Sequence, residues 1–229
     1  MAGIKENLEK VQKRIKEAAI RAERQPGEIT LVAVTKTVPA DLINQAIGCG
    51  VSVIGENRVQ EAIQKYPDIS GPVHWHLIGH LQSNKAKKAV EMFSLIHSID
   101  SLNLAQEVGR RALEANKVQE ILLEVNTSGE PQKYGFQIDD VIKAVNDIKE
   151  IDGVKVMGLM TVGPLTEDDQ RVRKAFRRLR IVFQEAAKQG LPNVQMEYLS
   201  MGMSGDFETA IEEGSSMVRI GSAIFGARG

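Results

Sequence analysis

A lysine placed directly after an apolar run is the first group in this chain with chemistry in view. The run ITLVAVT (29–35) is followed by Lys36, and strand alternation sets Thr30, Val32, Val34 and Lys36 on one face. If that face lines the inside of a closed sheet, the ammonium rises from an apolar layer into a mouth. Desolvation there lowers a lysine pKa and makes the amine a nucleophile that can form a Schiff base with an aldehyde. An isolated lysine at a strand end more often snorkels into water, so the argument needs a second group. The far end of the chain supplies one. Ser204 and Gly205 precede a helix expected to begin at Asp206 or Phe207, and Gly221 and Ser222 follow the last apolar run. Amides at a helix N-terminus, a hydroxyl beside them and unobstructed glycine backbone make a phosphate cradle, although each glycine alone reads as a turn residue. An amine on one side of a mouth and a phosphate grip on the other match the aldehyde and phosphate of pyridoxal 5′-phosphate (PLP).

Those residues need a scaffold that brings Lys36 beside Gly221. Eight apolar runs read as strands, at 29–35, 51–55, 73–79, 93–99, 119–126, 154–161, 195–200 and 216–221. Several are almost continuous in Val, Ile and Leu, the pattern of parallel strands covered on both faces. Helical patterns separate them, at 39–50, 57–66, 84–92, 101–117, 137–150, 166–190 and 205–214, with start signals at Pro39, Ser101 and Thr166. No Pro/Gly/Ser-rich linker interrupts the alternation, so one α/β domain over 1–229 is expected, a (β/α)8 TIM barrel. A doubly wound open sheet shares the alternation, but the count of eight favours closure. Within residues 1–24, Ile4, Leu8, Val11, Ile15, Ala19 and Ala22 recur at helical spacing, which gives an extra N-terminal helix packed on the domain. In such a barrel the chemistry gathers at the C-terminal strand ends, with phosphate after strands seven and eight. Lys36 and the two glycine pairs stand at those ends.

Composition removes other classes. Lys plus Arg (29) nearly balances Asp plus Glu (30), so no whole-chain field demands nucleic acid or a membrane. One cysteine, Cys49, excludes an intramolecular disulfide framework and a cysteine-rich zinc site, and suits a reducing compartment. With no apolar leader and no run of spanning length, a cytoplasmic protein is expected. His74, His76 and His80 fall close together, and His-x-His on a strand begins some zinc sites. The last strand offers Arg219 where such a site needs a ligand, so packed or pocket-lining histidines are expected and no metal. RVRKAFRRLR (171–180) has the look of a phosphate-binding helix. Glu167, Asp168 and Asp169 precede it, however, and Val172, Ala175, Phe176, Leu179, Val182 and Phe183 form a core-facing stripe, so a solvated outer helix is expected.

The segments AVTKTVPAD (33–41), IGENRVQEA (54–62), WHLIGHLQSNKAK (75–87), VNTSGEPQKYGF (125–136), GLMTVGPLTEDD (158–169) and the block LSMGMSGDFETAIEEGSSMVRIGSAIFG (199–226) together resemble the PLP homeostasis protein family, relatives of the proline synthetase co-transcribed protein. The resemblance extends over nearly the whole chain. It implies a fold-type III PLP barrel like the N-terminal domain of alanine racemase, with Lys36 as the Schiff-base lysine. It also implies a role in intracellular PLP (vitamin B6) homeostasis, buffering or delivering the cofactor. Carried across by position, Ser204 and Gly205 would hold the phosphate with the amides of Gly221 and Ser222. Arg219 would approach the pyridine nitrogen, Asn57 would contact the ring or its hydroxyl, and Met201 and His80 would line the pocket. A cation at the ring nitrogen disfavours its protonation and leaves a poor electron sink, which suits a non-catalytic carrier. The partners so implied are PLP and apo PLP-dependent enzymes, and a monomer is expected. The alternative is a PLP-dependent amino-acid racemase or a related fold-type III enzyme. Alanine racemases add a C-terminal β domain that supplies a second catalytic residue, and this chain stops at Gly229 after its last strand, so the carrier is the expectation.

Overall fold

Runs rich in Val, Ile and Leu become strands where both faces can be covered, and here they do. The computed structural model describes residues 3–130 and 132–226; the first residues of the expected N-terminal helix and the last of the expected domain lie outside the described residues. The strands are β1 (Thr30–Val34), β2 (Val53–Glu56), β3 (His74–Leu77), β4 (Leu95–Ile99), β5 (Gln119–Asn126), β6 (Phe136–Gln137), β7 (Val154–Met160), β8 (Val194–Ser200) and β9 (Met217–Ile220). The two-residue β6 merely flanks β5. The other eight run parallel in the order β1-β2-β3-β4-β5-β7-β8-β9, and β9 returns to β1 with Thr30 opposite Met217 and Val32 opposite Arg219. The sheet is therefore a closed barrel, and all eight expected strands belong to it.

Alternation sorts the strand residues into two cores. Val32, Val53, Leu95, Leu122, Met157 and Met217 fill the barrel interior. Ala33, Ile54, Ile96, Ile121, Leu159 and Val218 face outward under the helices. Those helices are α1 (Ile4–Arg21), α2 (Ala40–Gly48), α3 (Val59–Lys65), α4 (Ala86–Met92), α5 (Leu102–Glu114), α6 (Val141–Ile148), α7 (Asp169–Ala187), α8 (Phe207–Glu212) and α9 (Ser222–Phe225). The expected start signal at Thr166 is displaced. Asp168 caps α7, its Oδ1 accepting the N–H groups of Gln170 (3.0 Å) and Arg171 (3.3 Å), while Thr166 Oγ1 accepts from Asp168 N–H (3.2 Å). The basic helix is α7. Its Val172, Phe176 and Leu179 are buried, and Arg173 and Arg177 pair with Glu212 and Glu213 beside α8.

Helix α1 lies across α8 and α9, the elements that follow the last two barrel strands. Leu8, Val11, Ile15, Ala18 and Ala19 form its buried stripe. Polar contacts add to that packing. Arg14 makes a two-toothed bond to Glu208 (2.9 and 2.6 Å) with its guanidinium 4.6 Å above the Phe207 ring, and Asn7 Nδ2 donates to Ile224 O (2.9 Å). Among the described residues no helix is long and apolar enough to cross a membrane.

One glycine is decisive for the barrel wall. Gly158 has φ +149° where β7 slips register against β8, and a Cβ there would overlap the Tyr198 carbonyl. Gly158→Ala is expected to lower the unfolding free energy by about 3 kcal/mol or more, the range of severe backbone and packing conflicts. The urea midpoint measures it.

Candidate functional site

The β1 strand ends at Val34, and the chain turns at once, Val38 N–H donating to Thr35 O (2.9 Å). Lys36 therefore sits in a turn rather than on the strand proper, yet its side chain and Val34 line the same space, as alternation implied. Across the mouth, Gly202 takes φ +95°, and a Cβ there would press within 2.5 Å of Ala210 Cβ, so the chain can bend tightly onto α8 only through glycine. Asp206 Oδ1 accepts from Met203 N–H (2.6 Å) and closes the next turn, which presents Ser204 and Gly205. The loop after β9 comes alongside: Ala223 N–H donates to Ser204 Oγ (3.4 Å), and Arg219 N–H to Gly202 O (3.0 Å). The N–H groups of Ser204, Gly205 and Ser222 have no acceptor among the described residues.

These elements enclose a cavity of about 620 Å³. Lys36, Asn57, Ser204, Gly205, Arg219, Gly221 and Ser222 supply its polar groups, and Val34, Ile78, Val162 and Met203 its apolar wall. Asn57 Oδ1 is buried without a hydrogen-bond partner among the described residues. The cavity thus offers donors for an anion, an amine for a carbonyl carbon, an unused acceptor and an apolar surface for a flat body.

The floor carries a fixed positive charge. Arg219 is 4% exposed and donates to Ser200 Oγ (2.7 Å) and Thr161 O (2.8 Å). Burial lowers its pKa to about 10, against the opposing pull of Glu124 and Asp206, so it stays cationic at neutral pH. Burial also raises the Glu124 carboxyl to about 7, with Asp100 adding and Arg219 opposing, and raises Asp206 against its Met203 amide bond and Arg219. Beneath Arg219 the histidines continue the polar interior. His97 Nδ1 lies 3.1 Å from Ser200 Oγ, and its Nε2 lies 3.0 Å from His76 Nδ1. Burial pushes His76 down to about 3 and His97 well below its ordinary value, so both rings are neutral. His74 is exposed at the start of β3. Among the described residues no group of three or more His, Cys, Asp or Glu is arranged to hold a metal.

Seven of the nine expected site residues meet in one cavity, and two do not. Met201 is fully buried in the layer between barrel and helices, because it follows the inward-facing Ser200 and strand alternation turns it outward with Leu199; Met203 faces the cavity instead. His80 lies beyond the point where β3 ends and Gly79 passes tightly over the Asn57 backbone. Its ring stacks on Tyr134 (4.0 Å between centroids), Nδ1 pairs with Asp100 (3.2 Å), and it borders a neighbouring hollow that also touches Asn57. Sequence reasoning missed Ser200 and Thr161, which hold Arg219. Ser200 was within reach, since it shares with Tyr198 the inward face of β8.

Comparison with known proteins adds a separate finding. Residues 3–229 match the model of the alanine racemase N-terminal domain. The chain is 44% identical to a pyridoxal phosphate homeostasis protein of Aquifex aeolicus, with 97% of each chain covered. It is also similar to two solved structures. One is a protein of unknown role from Bifidobacterium adolescentis (38% identity, TM-score 0.93, 97% of this chain and 94% of that one). The other is PipY of Synechococcus elongatus PCC7942 with PLP bound (36%, 0.82, 93% and 100%).

The raised Glu124 carboxyl has a consequence for stability. A carboxyl whose folded value lies above its unfolded value contributes stability that is present at low pH and is lost as pH rises through the folded value. For Glu124 that window runs from its ordinary 4.5 to about 7. Glu124→Gln is therefore expected to gain on the unsubstituted protein as pH rises through that window. Denaturant midpoints measured across it compare the two directly.

Proposed function

Because the chain belongs to the family of the pyridoxal phosphate homeostasis proteins, built on the alanine racemase N-terminal domain, we propose that it binds PLP and serves PLP homeostasis by holding and releasing it. The observation that carries this reading is the convergence of Lys36, Asn57, Arg219 and the Ser204–Gly205 loop on one cavity. PLP supplies an electrophilic aldehyde, a phosphate and a flat ring with polar edges. Lys36 offers the amine for the aldehyde. The amides of Gly205 and Ser222 and the Ser204 hydroxyl suit the phosphate, and the unpartnered Asn57 Oδ1 awaits a donor such as a ring hydroxyl. Arg219, pinned by Ser200 and Thr161, would face a ring nitrogen as a donor and keep a proton off it.

That last role separates carrier from racemase. With Arg219 cationic, the ring gains little power to stabilise a carbanion. His76 and His97 are held neutral and bonded to one another, so neither is poised to move a proton at a substrate. The reading is therefore a cytoplasmic, monomeric carrier that passes PLP to apo PLP-dependent enzymes. Val162 and Met203, each 40% exposed at the cavity wall, leave its mouth open to such exchange.

Two outcomes test this. Lys36→Ala should abolish the borohydride-fixed PLP adduct, mapped by peptide mass spectrometry, and leave the unfolding midpoint unchanged, since the side chain is exposed. An adduct that persists on another residue would remove Lys36 from its role. Mixed with an apo PLP-dependent enzyme, the loaded protein should restore activity while exchanging no α-hydrogen of free amino acids. Stereospecific deuterium exchange at ordinary enzymic rates, about 1–10³ s⁻¹, would restore the racemase reading.

A further inference from the structure

Beside the cavity, and outside its lining, lies a cluster of titratable side chains that have no role in holding PLP. Lys65 Nζ bonds Glu56 Oε1 (2.8 Å) and Glu61 Oε1 (2.6 Å) at once. Glu56 ends β2 and is fully buried, and Lys65 and Glu61 stand one turn apart on α3 with side chains 13% and 21% exposed. Ion clusters this deep are weak stabilisers, because desolvation offsets the attraction and an apolar replacement often does as well. One oxygen, Glu56 Oε2, even lacks a partner among the described residues. Stability alone does not account for the arrangement.

Its contacts with the neighbouring turn do. Lys65 Nζ donates to Thr35 O (2.7 Å), and Thr35 Oγ1 donates to Glu56 Oε1 (2.7 Å). Glu61 Oε1 accepts from Thr37 N–H. The cluster thus grips the carbonyl just before Lys36 and the amide just after it. Thr37 is held at φ +59°, a left-handed conformation that a β-branched residue adopts only when its surroundings enforce it. Burial works to raise the Glu61 carboxyl, but Lys65 and Thr37 together outweigh it and hold it below its ordinary value, so the acceptor is ionised at neutral pH.

We propose that Lys65, Glu61 and Glu56 are positioning residues that set the backbone of Lys36 and so aim its amine into the cavity. None of the three lines the cavity; their side chains act through the two peptide bonds that flank Lys36. The proposal rests on the reading of Lys36 as the residue that holds PLP, and its test separates the two.

The full chain is prepared unsubstituted and as Lys65→Met, Lys65→Arg and Glu61→Gln. Two quantities are read. The first, without PLP, is amide hydrogen exchange at Thr37. The second is the fraction of bound PLP that borohydride fixes on Lys36, set against total PLP retained. Lys65→Met and Glu61→Gln should each speed Thr37 exchange about tenfold, as for loss of one charge-assisted hydrogen bond. The fixed fraction should fall while phosphate-dependent retention persists, and Lys65→Arg should restore both quantities. Glu61→Gln, isosteric and partly exposed, carries the test if Lys65→Met does not fold. A fixed fraction that is unchanged in the variants, or that falls only in step with total PLP and the unfolding midpoint, would overturn the clamp. An unsubstituted protein that binds PLP with no adduct on Lys36 would instead overturn the reading of Lys36, with Thr37 protection still reporting the grip.

Discussion

Pairing of β9 with β1 is the contact on which the rest of this molecule depends. Thr30, Leu31, Val32 and Ala33 face Met217, Val218, Arg219 and Ile220 in register, and this ladder converts an open sheet with two edges into a barrel with none. Closure also decides what the chain can do. In an open sheet with this strand order, Lys36 and Gly221 would stand at opposite ends of any crevice; in the barrel they stand on adjacent strand ends. Helix α1 reinforces the closure from outside, because the elements it grips, α8 and α9, carry the loops that face Lys36.

The barrel interior has two characters. Val32, Leu95, Leu122 and Met157 make its apolar packing, and beside them runs a bonded polar chain from His76 through His97 and Ser200 to Arg219. A buried guanidinium is tolerable only with its donors satisfied and opposite charge nearby. Ser200 and Thr161 provide acceptors, and Glu124 and Asp206 provide the field. The histidines continue the hydrogen bonding without adding charge, since burial keeps them neutral. The result is a cation that cannot swing away from the floor of the cavity.

Much of this was legible from residue order, and the exceptions have local causes. Parallel strands covered on both faces must be apolar almost throughout, so all eight barrel strands stood out, whereas the two-residue β6 and four-residue α9 are too short to show a period. Lys36 was legible because it breaks an apolar run at its end, and Ser204, Gly205, Gly221 and Ser222 because glycine and serine cluster after the last two runs. Met201 and His80, carried across by resemblance, miss the cavity for different reasons: Met201 alternates outward after the inward Ser200, and the bend at Gly79 takes the chain off the line of β3 before His80. The grip on Lys36 was invisible for another reason. Glu61 and Lys65 look like an ordinary surface pair one helical turn apart, and only folding buries them against Glu56 and turns them toward Thr35 and Thr37.

The cavity joins the first strand of the barrel to the last two, and that has a bearing on how the protein is made. A chain grows from its N-terminus, and domains fold as units once their sequence is available. Lys36 leaves the ribosome well before its neighbours across the mouth, Ser204, Arg219 and Ser222. A chain that has emerged only as far as β5 has the Lys36 amine and no pocket around it. The pocket comes into being with β9 and the loop after it, so a small molecule that needs both sides meets only chains whose barrel has closed, and by mass action stabilises them alone.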